Sequence, residues 1–434
     1  MEKTRRAAAV AAALALFSLT LWTGSAYGAA VKAPATPKND GIFRIVALGD
    51  SITAGYEKGF SEQDVPYGYV EHIYEQALFR GLRAEYANFG ILGLKTAGLE
   101  RLLSAAEKGL PVRPDDIQRG LPDPRAAALV DAPDRIGKAI RAADLIVMTI
   151  GGNDLYAVVE SLESDAGAAG AEKLLDGLLD DYERQLTAVV GSIRKLQPNV
   201  QIAIADQYVP IPAPLKLGAL VVPLYPEIDR QFLLRGTEKL TERLERIASK
   251  LSSESSRIGI VPIGATFRGN ELKLTSVADG DVHPNRLGYK AIGFEFTKSI
   301  WGGYRTVRTR GEEVPVSVVA NGKELSFGAH SPVRRNGTIF MPVNDAVRAA
   351  GGTISWSKDG KTAAFSGNGH NVRLTIGSAY ATVDGSRMKL NSPPAYIHRA
   401  GRETVAYMPI AVLAETLRTQ VVYRSTIQTV FINR

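Results

Sequence analysis

The run Arg44-Ile45-Val46-Ala47-Leu48 is rich in apolar residues and breaks off at Gly49-Asp50-Ser51, with Gly55 following shortly after. A short apolar run bounded by glycine reads as a buried strand ending in a tight turn. In open α/β sheets, chemistry gathers outside the carboxyl ends of the strands. Ser51 stands at such an end. A serine hydroxyl is a weak nucleophile until a neighbouring base activates it, so a chain that uses Ser51 must also supply a base, an orienting group and oxyanion donors.

The same texture continues to about Tyr304. Strands are predicted at Phe43–Leu48, Arg83–Asn88, Leu145–Ile150, Gln201–Ala205 and Ile258–Ile263. Helical patterns lie between them, at Gly68–Arg80, Tyr182–Leu196, Phe232–Leu251 and Arg286–Trp301. This alternation implies a parallel sheet covered by helices on both faces. Two later strands also end in suggestive loops. Tyr86–Thr96 leaves the second through a Gly-rich turn containing Gly93, and Gly151-Gly152-Asn153-Asp154 leaves the third. A last loop, Asp279-Gly280-Asp281-Val282-His283-Pro284-Asn285, precedes the final helix. Singly, each reads as a turn, a loop or a helix cap. Together, three of them share one rim of one sheet, and the histidine loop can fold back onto it.

Gly49-Asp50-Ser51, Gly93, Gly151-x-Asn153-Asp154 and His283-Pro284 resemble the four sequence blocks of the SGNH (GDSL-type) hydrolases, in family order over residues 41–304. The resemblance implies a flavodoxin-like three-layer αβα sandwich. It implies Ser51 as nucleophile, His283 as general base, and an oxyanion hole made of the Ser51 N–H, the Gly93 N–H and the Asn153 side-chain amide. Attack on an ester carbonyl places negative charge on its oxygen, and preorganised donors of this kind stabilise it. One position departs from the family. The acid usually stands three residues before the histidine, where this chain has Gly280. Asp281, two before, or Asp279, four before, could orient the imidazole; Asp281 is placed first. A backbone carbonyl could do so instead, leaving a Ser–His dyad. Asp50 reads as a turn residue.

The activity expected is hydrolysis of an acyl or acetyl ester by a serine esterase or lipase-like enzyme without cofactor. No metal is required, and the five histidines show no clustered ligand spacing. A reading from another class is a non-catalytic surface protein that uses the sandwich as a binding scaffold. Substrate class is weakly encoded. The apolar, Pro-punctuated segment Tyr208–Tyr225 could wall an acyl cleft, act as a lid, or pack against the sandwich edge. Leu110–Asp134, rich in Pro, Asp and Arg, could bind a polar glycan or be surface only. The candidate substrates are a lipid ester and an acylated glycan.

A chain of 434 residues is long for one domain. Near Gly302–Glu313 the texture becomes strand-rich and dense in turns such as Asn336-Gly337 and Asp384-Gly385. Met341-Pro342-Val343 recurs as Met408-Pro409-Ile410, and Trp356 as Tyr423. Each copy reads as strand, Met-Pro, a helix of about ten residues, then a hairpin, so residues 313–434 are expected to form a smaller α+β domain of two repeated units. With Val319-Ala320-Asn321-Gly322-Lys323, these features resemble the copper amine oxidase N-terminal-like (stalk) domain. His330, His370 and His398 have no copper-ligand spacing. A spacer or an attachment to a cell-wall polymer is the expected role, beside plain stabilisation. Independent cores would let the chain be cut near 302–313 with activity retained.

At the N-terminus, Lys3, Arg5 and Arg6 precede the apolar stretch Ala7–Trp22 and small residues up to Ala30. This is the pattern of a secretory signal peptide over residues 1–30, followed by a spacer at 31–40. The protein is therefore expected to be secreted or held at the cell surface; an uncleaved anchor is the other reading, though the stretch is short for a span. Cysteine is absent, which excludes disulfides and a thiol nucleophile. Removing three positive residues and Glu2 with the signal lowers the formal charge from +7 to +5. The remaining basic residues are dispersed, so nucleic acid is not an expected partner.

Overall fold

The computed structural model describes residues 40–434 apart from 62, 132, 163–166, 218–219, 254, 312–313, 329 and 401–402. The expected signal peptide and all but the last residue of the spacer lie outside the described residues.

Five parallel strands form the central sheet: Ile42–Gly49, Arg83–Gly90, Leu145–Thr149, Gln201–Ala205 and Ile258–Val261. Their spatial order is second, first, third, fourth, fifth. Alternate residues of the first strand serve opposite faces. Val46 and Leu48 pack into a core roofed by the helices Thr96–Lys108, Gly167–Leu196 and Glu227–Leu251. Phe43, Ile45 and Ala47 pack into a second core under Tyr69–Leu78 and Arg286–Trp301. Period-two alternation along a strand buried on both sides produces this division. The αβα sandwich expected from the sequence is the fold observed. In this sheet the order in which successive strands are added reverses between the first and third strands, the place where a ligand crevice opens.

In the C-terminal region the two repeats meet directly. The strands Thr338–Pro342 and Glu403–Pro409 pair antiparallel, with Met341 opposite Met408 and both side chains fully buried. The helices that follow, Val343–Ala349 and Ala411–Leu417, have seven residues each rather than about ten. The first stops before Gly351-Gly352, and the second at Arg418, which adopts φ +52°. The final strand, Thr429–Asn433, runs parallel to Ser317–Ala320 and so closes the region on its own first strand.

The expected independence of the two cores does not hold. Val319 and Phe431 lie in the same apolar cluster as Phe43 and Tyr69. Phe431 meets Phe79 edge-on, with ring centroids 4.9 Å apart. The Gln420 amide bonds both backbone groups of Ala84, at 2.9 and 2.8 Å, and Asn433 Nδ2 donates to the Leu78 and Leu82 carbonyls. Arg424 Nε reaches Glu75 Oε1 at 2.8 Å, where the Glu75 side chain is 1% exposed.

Removing Arg424 would strand a buried carboxylate, which typically costs about 3–5 kcal/mol. Arg424→Met is therefore expected to lower the stability of the whole chain by about 3 kcal/mol in urea unfolding, and Glu75→Gln in the same chain to recover much of that loss. A fragment ending near residue 311 is expected to melt well below the full chain, because the cut exposes Phe79 and the Glu75 carboxylate together. Equal melting of fragment and full chain would show that the interface contributes nothing.

Candidate active site

Gly49 ends the first strand with φ +139°. A Cβ there would sit 2.0 Å from the Thr149 carbonyl oxygen, so only glycine lets the first and third strands approach this closely. Asp50 follows as the N-cap of a single helical turn, Ser51–Ala54, and its carboxylate accepts from Ile52 N at 3.1 Å. Asp50 also accepts from Thr149 Oγ1 at 2.8 Å and is almost fully buried. Burial pushes its carboxyl up to about 7 while these hydrogen bonds pull the other way. Its role is to fix the turn, as the sequence reading has it. Ser51 is the first residue of the helical turn, where backbone N–H groups have no partner within the helix.

His283 comes to Ser51 from the far end of the domain. Its Nε2 lies 2.9 Å from Ser51 Oγ, and its Nδ1 lies 2.6 Å from Asp281 Oδ1. The same carboxylate oxygen accepts the His283 backbone N–H at 3.1 Å. That is an Asx-turn, in which an aspartate bonds the backbone two residues on. It answers how a carboxylate only two residues before the histidine can reach the ring. Asp279 goes elsewhere. It ends a 3₁₀ turn, Val277–Asp279, is exposed, and gives its carbonyl to Lys58 Nζ. Gly280, at φ +77°, turns the chain between the two aspartates.

The histidine loop is held on several sides. Ser276 N donates to the His283 carbonyl, and Tyr208 Oη donates to the Val282 carbonyl at 2.8 Å. The Tyr56 ring packs on the imidazole at a centroid distance of 4.3 Å. Asn285 caps the helix Arg286–Trp301 by accepting from Leu287 N and Gly288 N. The ring is thus set by packing as well as by its hydrogen bonds. Nothing in the sequence marks Tyr56 and Tyr208 for this task, since both contacts join segments far apart in the chain.

Asn153 shares a cavity wall with Ser51 and His283. Its Nδ2 donates one hydrogen to the Leu94 carbonyl at 3.0 Å, and an amide nitrogen carries two. Gly93 is not part of that wall. It lies on the adjoining loop, at φ +77°, one residue from the carbonyl that Asn153 holds. Asp154 binds Thr96 through its backbone N–H, at 3.1 and 3.0 Å, and its hydroxyl, at 3.0 Å. Burial raises the Asp154 carboxyl above its ordinary range.

The cavity measures about 440 Å³. Apart from Ser51, Asn153 and His283, its wall is dominated by apolar side chains, among them Val158, Val159, Leu175, Ile211 and Phe232. Residues 208–212 and Tyr225 of the Pro-punctuated segment belong to this wall. An apolar cleft of this size with a few converging polar groups is the usual form of a small-molecule site.

Residues 47–291 match the GDSL-like lipase/acylhydrolase family, and residues 319–432 match the copper amine oxidase N-terminal domain. No curated protein matches the chain. Similar solved structures include a lipase from a goat rumen metagenome, with 19% identity over 60% of this chain and 98% of that one and a TM-score of 0.40. An extracellular lipase from Streptomyces rimosus has 16% identity over 59% and 99%, with a TM-score of 0.39. An acetylxylan esterase from Geobacillus stearothermophilus has 18% identity over 62% and 97%, with a TM-score of 0.35. The assignment rests on the family match, which spans more than half of the sequence: the chain belongs to the GDSL-like lipase/acylhydrolase family of ester-hydrolysing enzymes.

Proposed function

We propose that this protein is an exported serine esterase that cleaves esters of apolar acyl groups through a Ser51–His283–Asp281 triad. The observation that carries the reading is the pair of contacts on one imidazole, 2.9 Å to Ser51 Oγ and 2.6 Å to Asp281 Oδ1, beside an apolar cavity. The basic, apolar and small-residue pattern of residues 1–30 supports export.

With Nδ1–H donating to Asp281, Nε2 is free to take the serine proton. Ser51 Oγ attacks the ester carbonyl carbon, and His283 receives its proton. The carbonyl oxygen gains the negative charge, which the Ser51 and Gly93 N–H groups and the second Asn153 hydrogen stabilise. Collapse of this intermediate breaks the bond to the alcohol oxygen, and His283 returns its proton to that leaving group. Water then attacks the acyl-serine with His283 again as base, releasing the acid and restoring Ser51. Asp281 fixes the tautomer and stabilises the imidazolium formed in each step.

Three outcomes test the chemistry. Ser51→Ala is expected to remove turnover while leaving the melting temperature near that of the parent. Asp281→Asn is expected to lower kcat by on the order of 10²–10⁴, because it gives the ring the wrong tautomer. Asp279→Asn should stay near wild type, and equal small losses for the two aspartates would leave a dyad. Asn153→Ala is expected to lower kcat by about 10²-fold with little change in KM; a change in KM alone would make Asn153 a substrate-binding residue.

The cavity supports the substrate class. A panel of p-nitrophenyl esters from acetate to palmitate should give its highest kcat/KM beyond acetate. Val158→Trp, which fills the wall beside Leu175 and Phe232, should shift the preference toward acetate without abolishing it. Hydrolysis of acetate alone by the parent would overturn the acyl reading, and no hydrolysis of any ester would overturn the site.

A further inference from the structure

The loop Leu92–Thr96 is held, residue by residue, by side chains from other segments. Leu92 N donates to Asp123 Oδ2 at 2.8 Å. The Gly93 carbonyl accepts from Gln118 Nε2 at 2.9 Å. The Leu94 carbonyl accepts from Asn153 Nδ2 at 3.0 Å. Lys95 N donates to Gln118 Oε1 at 2.9 Å, and Thr96 is bound by Asp154. Arg125 secures Asp123 through a 3.0 Å ion pair in which the carboxylate side chain is wholly buried. Among the described residues, none accepts from the Gly93 N–H.

We infer that Gln118 is a positioning residue for the oxyanion hole, aiming the Gly93 N–H by clamping the backbone on both sides of Leu94, with Asp123 fixing the other flank. The inference rests on the reading of Gly93 as an oxyanion donor. An amide side chain suits the task because it offers a donor and an acceptor in one plane. Gln118 spends the donor on the Gly93 carbonyl and the acceptor on the Lys95 N–H. The direction of the Gly93 N–H depends on the peptide plane joining Leu92 to Gly93. Bonds to Leu92 N and to the Gly93 carbonyl bracket that plane. Gly93 has little other support, since its φ of +77° is open to glycine and strained for other residues. It also has little room to move, because a Cβ there would lie 2.7 Å from Pro122 Cδ. A donor aimed in advance costs no reorganisation when charge develops, and this is the condition for its effect on rate. The segment Leu110–Asp134 thereby acquires a role in the catalytic rim, as a brace rather than a surface.

The test is steady-state hydrolysis of p-nitrophenyl butyrate by the full chain carrying Gln118→Ala, Gly93→Ala, or both, with circular dichroism to verify folding. Gln118→Ala is expected to lower kcat about tenfold with KM within about twofold, since a misaimed donor loses part of the 10²–10³ that a deleted one loses. The double variant should be no slower than Gly93→Ala alone, because the clamp acts only through that donor. Gln118→Glu, which keeps the acceptor and loses the donor, should be at least as slow as Gln118→Ala. If Gln118→Ala does not fold, Asp123→Asn takes its place in the same cycle, with the same kcat loss expected. A slow Gly93→Ala beside a Gln118→Ala of wild-type kcat would overturn the clamp and leave the oxyanion hole standing. Gly93→Ala keeps the N–H but displaces it, because the added Cβ meets Pro122 and φ +77° is strained, so wild-type kcat in this variant would overturn the reading beneath it. Losses that multiply in the double variant, or a Gln118→Ala effect confined to KM, would also overturn the positioning role.

Discussion

The site depends on the contact between the ends of the first and third strands. Gly49 lets the Thr149 carbonyl come close enough to accept from Asp50 N at 3.0 Å. Around that contact lies a buried polar network: Asp50 to Thr149 Oγ1, Thr149 Oγ1 to Thr53 Oγ1 at 2.7 Å, and Thr53 Oγ1 to Tyr69 Oη at 2.9 Å. Buried polar groups are costly unless hydrogen-bonded, and a satisfied network specifies one arrangement. Ser51 is one residue beyond this lock on one strand, and Asn153 four beyond it on the other. Ser51 and Asn153 therefore inherit their spacing from the sheet rather than from flexible loops. His283 comes from a loop outside the sheet, and correspondingly it carries its own Asx-turn and aromatic packing.

Much of this was legible locally. The strand ending at Gly49 shows in five residues of sequence, because a strand buried on both faces needs a continuous apolar run and its exit needs a residue of positive φ. Gln201–Ala205 and Arg286–Trp301 fall where the pattern puts them. The helix Gly167–Leu196 begins fifteen residues before its expected start at Tyr182. Its first turns are rich in Gly and Ala and carry a weak periodic signal, and Ala171 and Leu175 pack into the core. The choice between Asp281 and Asp279 was not legible, since it turns on the φ of Gly280 and on a side chain bonding its own backbone. Gln118 and Asp123 could not be read at all. Their partners lie 25 and 31 residues away, and a polar side chain in a Pro-rich segment looks the same whether it faces water or a backbone.

The domain interface escaped for a related reason. The helix Tyr69–Leu78 contains Glu71, His72, Glu75 and Gln76, which in sequence resemble the solvated face of an amphipathic surface helix. All ten of its residues are buried. Each of these polar side chains has a partner that covers it. Glu71 accepts from Gly68 N, His72 Nδ1 meets Tyr304 Oη, Glu75 takes Arg424, and Gln76 exchanges bonds with both backbone groups of Arg305. Burial pushes the His72 imidazole down to about 4, so it stays neutral in this setting. For His72, Glu75 and Gln76 the linker and the C-terminal domain supply the partners that water would otherwise provide.

This helix joins the two functional ends of the structure. Near its start, Tyr69 reaches Thr53 in the network beneath Ser51. At its end, the Leu78 carbonyl accepts from Asn433 and the following Phe79 packs on Phe431. Ten helical residues span about 15 Å, so one rigid element runs from the foot of the Ser51 turn to the docking face. The C-terminal domain meets the sheet near the starts of its strands, as the Gln420–Ala84 pairing at the beginning of the second strand fixes. The Ser51, Asn153 and His283 rim lies at the strand ends, on the opposite side. The domain therefore bears on the sandwich and on the helix beneath Ser51 from the side opposite the cavity, an arrangement that a freely tethered appendage would not produce.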